Sequence, residues 1–337
     1  MVNNVGPLRM VGRAHERDEL VGAWSRQAVG GPGRTAVVTG EAGIGKSLLL
    51  ATALDAFDPP PGVVLAGTAR VHTPAPYDWL AAVLAGRDTT DLPVPADALG
   101  WLVQDPDVPS QRYAPTALLR LAVRVVRWLV GRGPAVLVVE DLHALDPASL
   151  NLIGEVATSH DLPALMLVTS QPPDAADSPQ LAARTLARVS GAPGAIRQHL
   201  GPLDVGGVRA ILAQLYPDAV VPDDLAGATL AHTQGNPYRL TELVATAGSA
   251  GPEALARQLL NGSGAELTAR ELEVLACLAK GMSNKQVARS LDISIRTVAV
   301  HVSNLLRKTR LTSRTEVALW AVQHRDAVRV RTPHAGV

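Results

Sequence analysis

The period of the apolar positions changes several times along the chain, and each change marks an element. Short β-branched runs predict strands at Thr35 to Gly40 (TAVVTG), Val63 to Thr68, Leu165 to Ser170 and Ile196 to Leu200. Ala135 to Asp146 (AVLVVEDLHALD) reads as an apolar strand that ends in two carboxylates. Three- and four-residue spacing predicts helices up to Trp24, through LLLATALDAF, and at Tyr77 to Leu84, Ala114 to Val130, Pro147 to Thr158, Gln180 to Arg188, Val205 to Leu215, Asp223 to His232 and Asn236 to Ala247. Residues 86 to 114 are rich in Asp, Pro and Gly and read as loop with one helical piece near Ala98 to Val103. Strands that alternate with helices in this way predict a doubly wound parallel sheet, an α/β fold.

After residue 264 the pattern shortens. Thr268 with Glu271, Ser283 with Gln286 and Ser313 with Glu316 form capping boxes ahead of apolar helical runs, and Ser294 caps another helix after the Asp292-Ile293 turn. Four short helices result, an all-α region. The stretch Ser283 to Lys308 has helix-turn-helix spacing. In its second helix Ile295, Val298, Val302, Leu305 and Leu306 form one apolar face, and Arg296, Ala299, Val300, Ser303 and Arg307 form the opposite one. A helix so divided can pack on its partner and lie in a DNA major groove, where small side chains read base edges and arginines grip phosphate.

Charge supports this division. Residues 264 to 337 hold 12 Lys/Arg against 6 Asp/Glu, although the whole chain is balanced at 31 each. A basic C-terminal region suits phosphate binding, and the acidic remainder argues against a second nucleic-acid surface. Cys277 is the only cysteine and falls within an apolar helical pattern, so it reads as a buried thiol. The N-terminus MVNNVGPLRM has no hydrophobic signal core, and Arg or Asp interrupts every long apolar run. A soluble, cytoplasmic protein without membrane contact is expected.

The predicted strand 35–40 runs into GEAGIGKS, Gly40 to Ser47, and then into a helix, which is the context a phosphate-binding P-loop requires. Gly40, Gly43 and Gly45 let backbone N–H groups approach phosphate, Lys46 reaches the β- and γ-phosphates, and Ser47 ligates Mg²⁺. Lys46 is one of only four lysines in an arginine-biased chain, which points to a need for a compact ammonium. The later strand that ends in Glu140 and Asp141 supplies the Walker B acids: one carboxylate holds the magnesium, and the other orients a water for catalysis. ATP and Mg²⁺ are the expected cofactors. His143 and His301 lack partners at ligand spacing, so no structural metal is expected.

Residues 267 to 322 closely resemble the LuxR-type helix-turn-helix domain. The likeness rests on Leu267-Thr268, Glu271, Glu273-Val274-Leu275, Gly281, Ser283-Asn284, Ala288, Leu291, Ile293-Ser294, Thr297-Val298, His301, Lys308 and Ser313 to Glu316. It implies DNA contact by Ser283, Asn284, Lys285, Ser294, Arg296, Thr297, Ala299, Val300, Ser303, Arg307 and Lys308. The family usually carries a DNA-facing lysine where Ala299 stands, and Ala299 with Val300 points to apolar contact, for example with a thymine methyl.

The VGR near the start, the P-loop, VVEDLHALDPASL, LGPLDVGGVRAIL and Gly235-Asn236-Pro237 occur in an order that resembles the ATPase of the large ATP-binding LuxR-type regulators, in the STAND branch of AAA-like ATPases. That resemblance, over residues 10 to 247, implies that Arg13 lies near the adenine and that Pro237 lines the nucleotide side of a helical subdomain. Glu140 stands where an aspartate is usual, and the run LVTSQPPD lacks the arginine that often senses the γ-phosphate; hydrolysis is expected to be slow or absent. The expected divisions are an ATPase core at 1–170, a mainly helical subdomain at 171–247, an Ala/Gly-rich linker at 248–264 in place of the family's long helical-repeat sensor, the helix-turn-helix domain at 265–325 and a tail at 326–337.

These readings converge on an ATP-binding transcription regulator, with double-stranded operator DNA, a second copy of the chain (a homodimer or nucleotide-dependent oligomer) and RNA polymerase as partners. Two alternatives remain: a signalling ATPase whose C-terminal helices bind protein, and a regulator whose ATPase is degenerate and does not hydrolyse.

Overall fold

Two central strands of the chain are apolar on both faces, and a sheet covered by helices on each side is built around them. The computed structural model describes residues 9–323 except 32, 69–74, 106, 109–112, 160, 173–175, 177, 248–250, 263–268, 292 and 310–312. It divides into two units, Met1–Glu242 and Leu243–Val337.

In the first unit β1 (Arg34–Gly40), β2 (Val63–Gly67), β3 (Ala135–Val139), β4 (Ala164–Ser170) and β5 (Ile196–Leu200) form one sheet of order β2-β3-β4-β1-β5, and every pairing is parallel. All residues of β3 and β4 are buried. Their side chains alternate between two cores, as the strand period of two requires. Leu137, Val139, Met166 and Val168 enter one, with Trp79 and Leu80 of α3 (Asp78–Leu84), Val125 of α5 (Pro115–Val130) and Leu152 of α6 (Pro147–Ala157). Val136, Val138, Leu165 and Leu167 enter the other, with Leu20 and Trp24 of α1 (Ala14–Ala28) and Leu49 of α2 (Lys46–Asp55). The short α4 (Ala96–Leu102) and the longer α7 (Pro179–Ser190) add Leu102 and Val189 to the first core.

Three helices follow β5: α8 (Val205–Leu215), α9 (Asp223–Thr233) and α10 (Pro237–Ala247). Asp204 and Asp146 cap α8 and α6 by accepting backbone N–H bonds. β5 pairs with β1, so the sheet runs past residue 170; its polar Arg197 and His199 are exposed because an edge strand needs apolar side chains only at alternate positions. The expected linker contains α11 (Pro252–Gly262), on which Leu255 and Leu259, four residues apart, are both buried.

In the second unit α12 (Ala269–Ala279), α13 (Asn284–Ser290), α14 (Ile295–Thr309) and α15 (Arg314–Gln323) enclose Val274, Leu275, Leu278, Val287, Val298, Leu305 and Val317. Cys277 is buried among them. The capping box of Ser283 and Gln286 is complete, Ser313 and Glu316 exchange reciprocal bonds of 3.2 Å, and the Thr297 N–H donates to the Ser294 hydroxyl at 3.0 Å. Thr268 and the tail 326–337 lie outside the described residues. Ile295 departs from the expected apolar face: it is 52 % exposed, because it overhangs the core one turn before Val298.

Leu137 is fully buried on the central sheet. Leu137→Ala should destabilise the first unit by about 2–5 kcal/mol, measured as a lowered urea midpoint in its unfolding.

Candidate nucleotide site and DNA-facing helix

The chain leaves β1 at Gly40 and turns through the glycine-rich loop before α2 begins at Lys46. Gly43 and Gly45 have φ of 73° and 101°, a region that disfavours other residues. A Cβ on Gly45 would extend into open space, whereas one on Gly43 would lie 2.5 Å from the Cβ of Tyr238. The loop is thus open on one side and closely backed on the other. That open side, at the N-terminus of α2, is a cradle of the kind a phosphate fills.

The Lys46 ammonium donates to the carbonyls of Gly40 at 3.0 Å and Glu41 at 2.8 Å. Burial pushes its pKa below the usual lysine value, and the negative charge of Asp141 works in the opposite direction. The Ser47 hydroxyl donates a short hydrogen bond to the Glu140 carboxylate. Two oxygen ligands are thereby brought together at the end of β3, a donor set that suits a hard cation such as Mg²⁺. The main-chain N–H of Asp141 donates to Thr169 Oγ1 at 3.0 Å, and its carboxylate is half exposed. His143 Nδ1 accepts from the Gln171 N–H at 3.2 Å and lies 3.9 Å from the Asp141 carboxylate.

A third segment closes the site. Asn236 Nδ2 donates to the Ala42 carbonyl at 2.9 Å, and the Tyr238 N–H donates to the Gly43 carbonyl at 3.2 Å. Pro237 lies between them, half buried, at the start of α10. Asn236 and Tyr238 were not among the sequence-derived site residues; the Gly235-Asn236-Pro237 run marks their segment, but nothing local shows that Asn236 bonds to Ala42, 194 positions away. Arg13 immediately precedes α1. Its guanidinium donates to the Gly201 carbonyl, just past β5, and pairs with Glu16 at 3.3 Å.

In the second unit Ser283, Lys285, Ser294, Thr297, Ala299, Val300 and Ser303 are exposed. Val300 is 55 % exposed. Ala299, Val300 and Ser303 occupy adjacent turns of one α14 face, the face expected to meet DNA. Asn284 is half buried and accepts from Arg314, which also donates to the Met282 carbonyl. Arg296, Arg307 and Lys308 lie on α14, but their side chains are outside the described residues.

Comparison with known proteins agrees with both units. The family model for the AAA ATPase domain matches residues 9–168, and that for bacterial regulatory proteins of the luxR family matches residues 265–321. The chain is similar to the nitrate/nitrite response regulator protein NarL of Escherichia coli K12, 48 % identical over 60 residues, and to the response regulator protein VraR of Staphylococcus aureus, 47 % identical over 58. These matches cover 18 % and 17 % of this chain, and it spans 28 % of the length of each relative. Its fold is similar to that of the Aeropyrum pernix ORC1 protein, solved in complex with DNA, at a TM-score of 0.52 and 14 % identity over 98 % of this chain and 96 % of that one. The chain therefore joins a P-loop ATPase domain of the AAA class to a C-terminal helix-turn-helix domain of the luxR type.

The Lys46 shift has a testable sign. Its folded pKa lies below the ordinary 10.5, so the unfolded chain binds this proton more tightly, and stability rises with pH up to 10.5. Thermal melts without nucleotide should show wild type gaining on Lys46→Met as pH rises through the alkaline range toward 10.5; a flat difference up to that pH would mean that burial of the ammonium is not felt.

Proposed function

We propose that this chain is an ATP-responsive transcription regulator, in which the nucleotide at residues 40–47 sets the affinity of the helix-turn-helix for double-stranded operator DNA. The observation that carries the reading is the convergence at the carboxyl end of β1 and β3, where a buried lysine, an open glycine cradle and the Ser47–Glu140 pair meet. These residues fit Mg²⁺ and ATP. Lys46 would turn from the loop carbonyls to the β- and γ-phosphates, and Ser47 and Glu140 would hold the cation, with Asp141 close by. Magnesium when bound offsets phosphate charge. Asp141, its main chain fixed by Thr169, would orient a water. Arg13 and Pro237 would flank the adenine.

Hydrolysis is proposed to be slow, in keeping with glutamate at the first acidic position and no arginine in the run after β4. On DNA, Lys285, Arg296, Arg307 and Lys308 would neutralise phosphates. Ser283, Asn284, Ser294, Thr297 and Ser303 would make polar contacts, and Ala299 and Val300 would meet an apolar base edge such as a thymine methyl. One domain of this size makes few phosphate contacts, so a homodimer or nucleotide-dependent oligomer on two half-sites is proposed, with RNA polymerase as the further partner and the cytoplasm as the compartment.

The test is genome-wide DNA occupancy of wild type beside Lys46→Ala at matched protein levels, together with Mg-ATP affinity. Loss of a buried charged partner costs about 2–5 kcal/mol, so the variant should bind Mg-ATP at least roughly 30-fold more weakly and lose discrete sites. Unchanged sites would leave a DNA-binding protein with a degenerate ATPase, and no sites in either protein would favour a signalling ATPase. Lys285→Ala should weaken binding at all sites alike and reduce the salt slope by about 1.

A further inference from the structure

Gly235, Asn236 and Pro237 each do something different at the start of α10. Gly235 has φ +71°, a Cβ there would lie 2.3 Å from the Leu203 carbonyl, and the Leu203 N–H donates to the Gly235 carbonyl at 2.9 Å. Pro237 starts the helix where a missing N–H costs nothing. Asn236, only 5 % exposed, is the joint between the two sides. Its Oδ1 accepts from the N–H groups of Tyr238 at 3.0 Å and Arg239 at 3.3 Å, and its Nδ2 donates to the Ala42 carbonyl at 2.9 Å. The reverse amide orientation would set an NH₂ against two N–H donors, so the assignment follows from the partners themselves.

The two carbonyls used by this clamp, on Ala42 and Gly43, belong to the peptide planes whose other ends are the N–H groups of Gly43 and Ile44. On the nucleotide reading those N–H groups would serve the phosphate; that of Ile44 is held here only by a long 3.4 Å contact to the Glu41 carbonyl. A phosphate that accepts from them fixes the same planes and polarises the carbonyls, which strengthens the bonds from Asn236 and Tyr238. The helix that begins at this clamp ends at Ala247, beyond the division between the two units at 242/243.

Resting on the nucleotide reading above, we propose that Asn236 is a positioning residue that couples phosphate in the P-loop to α10. It touches no reacting atom. It holds the loop planes in register with the first turn of the helix, so that phosphate occupancy stiffens that turn.

Asn236→Asp separates the clamp from the cap. Aspartate still accepts from the Tyr238 and Arg239 N–H groups and favours a helix start, but it has no donor for the Ala42 carbonyl. Asn236→Ser, which also caps but is shorter, is the second variant should Asp fail to fold. The measurement is amide hydrogen exchange of residues 42–47 and 238–240 in the full chain, with and without saturating Mg-ATP, in wild type and variant. In wild type, Mg-ATP should slow exchange in both segments, by about tenfold at 238–240. In the variant, slowing should persist at 42–47 and fall to within about twofold at 238–240. Equal slowing at 238–240 in variant and wild type would overturn the coupling, as would wild-type slowing confined to 42–47. Absence of slowing in both segments of the wild type would overturn the nucleotide reading itself, and this inference with it.

Discussion

The central constraint of the first unit is that β1 lies between β4 and β5 and is buried on both faces, so that its carboxyl end can open only into the crevice bounded by neighbouring strand ends. The loop and the acids of the nucleotide site reach that crevice from strand termini or the turns beyond them, whereas the segment at the start of α10 and Arg13, ahead of α1, come from elsewhere. The glycine loop follows β1, Glu140 and Asp141 follow β3, Thr169 and Gln171 mark the end of β4, and Gly201 follows β5. The apolar run of each strand is thus also what places its polar ending. Crevices of this kind at strand ends are where open α/β sheets bind ligands.

Electrostatics at that point are set by close confinement. Lys46 is stripped of water, yet it is compensated by two carbonyls and by the field of Asp141. Glutamate at position 140 has one methylene more than aspartate, and its carboxylate meets the Ser47 hydroxyl across the gap between α2 and β3. His143 buttresses the main chain after β4 by accepting from the Gln171 N–H.

Much of this was legible in the sequence, and the failures have physical reasons. β3 and β4 were readable as unbroken apolar runs because both of their faces are covered, and the loop was readable because three glycines before a lysine have few other uses. The place of β5 in the sheet was not, since alternation with Arg197 and His199 describes any half-exposed strand. The helix α11 was hidden by an Ala- and Gly-rich composition that carries only two well-spaced leucines. Ile295 fits the apolar stripe of α14 by angle, but the core ends before reaching it; angle alone says nothing about how far a core extends. The caps at Ser283, Ser294 and Ser313 were readable because both partners in each lie within one turn. The bonds from Asn236 and Tyr238 to the P-loop were not, because sequence carries no sign of pairing over such a separation.

The missing Cβ of Gly43 leaves room for Tyr238, and that of Gly235 leaves room for the Leu203 carbonyl. Residues 40–47, 200–203 and 235–238 therefore fit one another as a single moulded set, although they are spread over most of the first unit. Recombination between relatives would have to exchange all three segments together. A crossover point between any two of them would join a loop to a helix start shaped for a different backbone, so the inheritance of this unit is expected to be all or nothing.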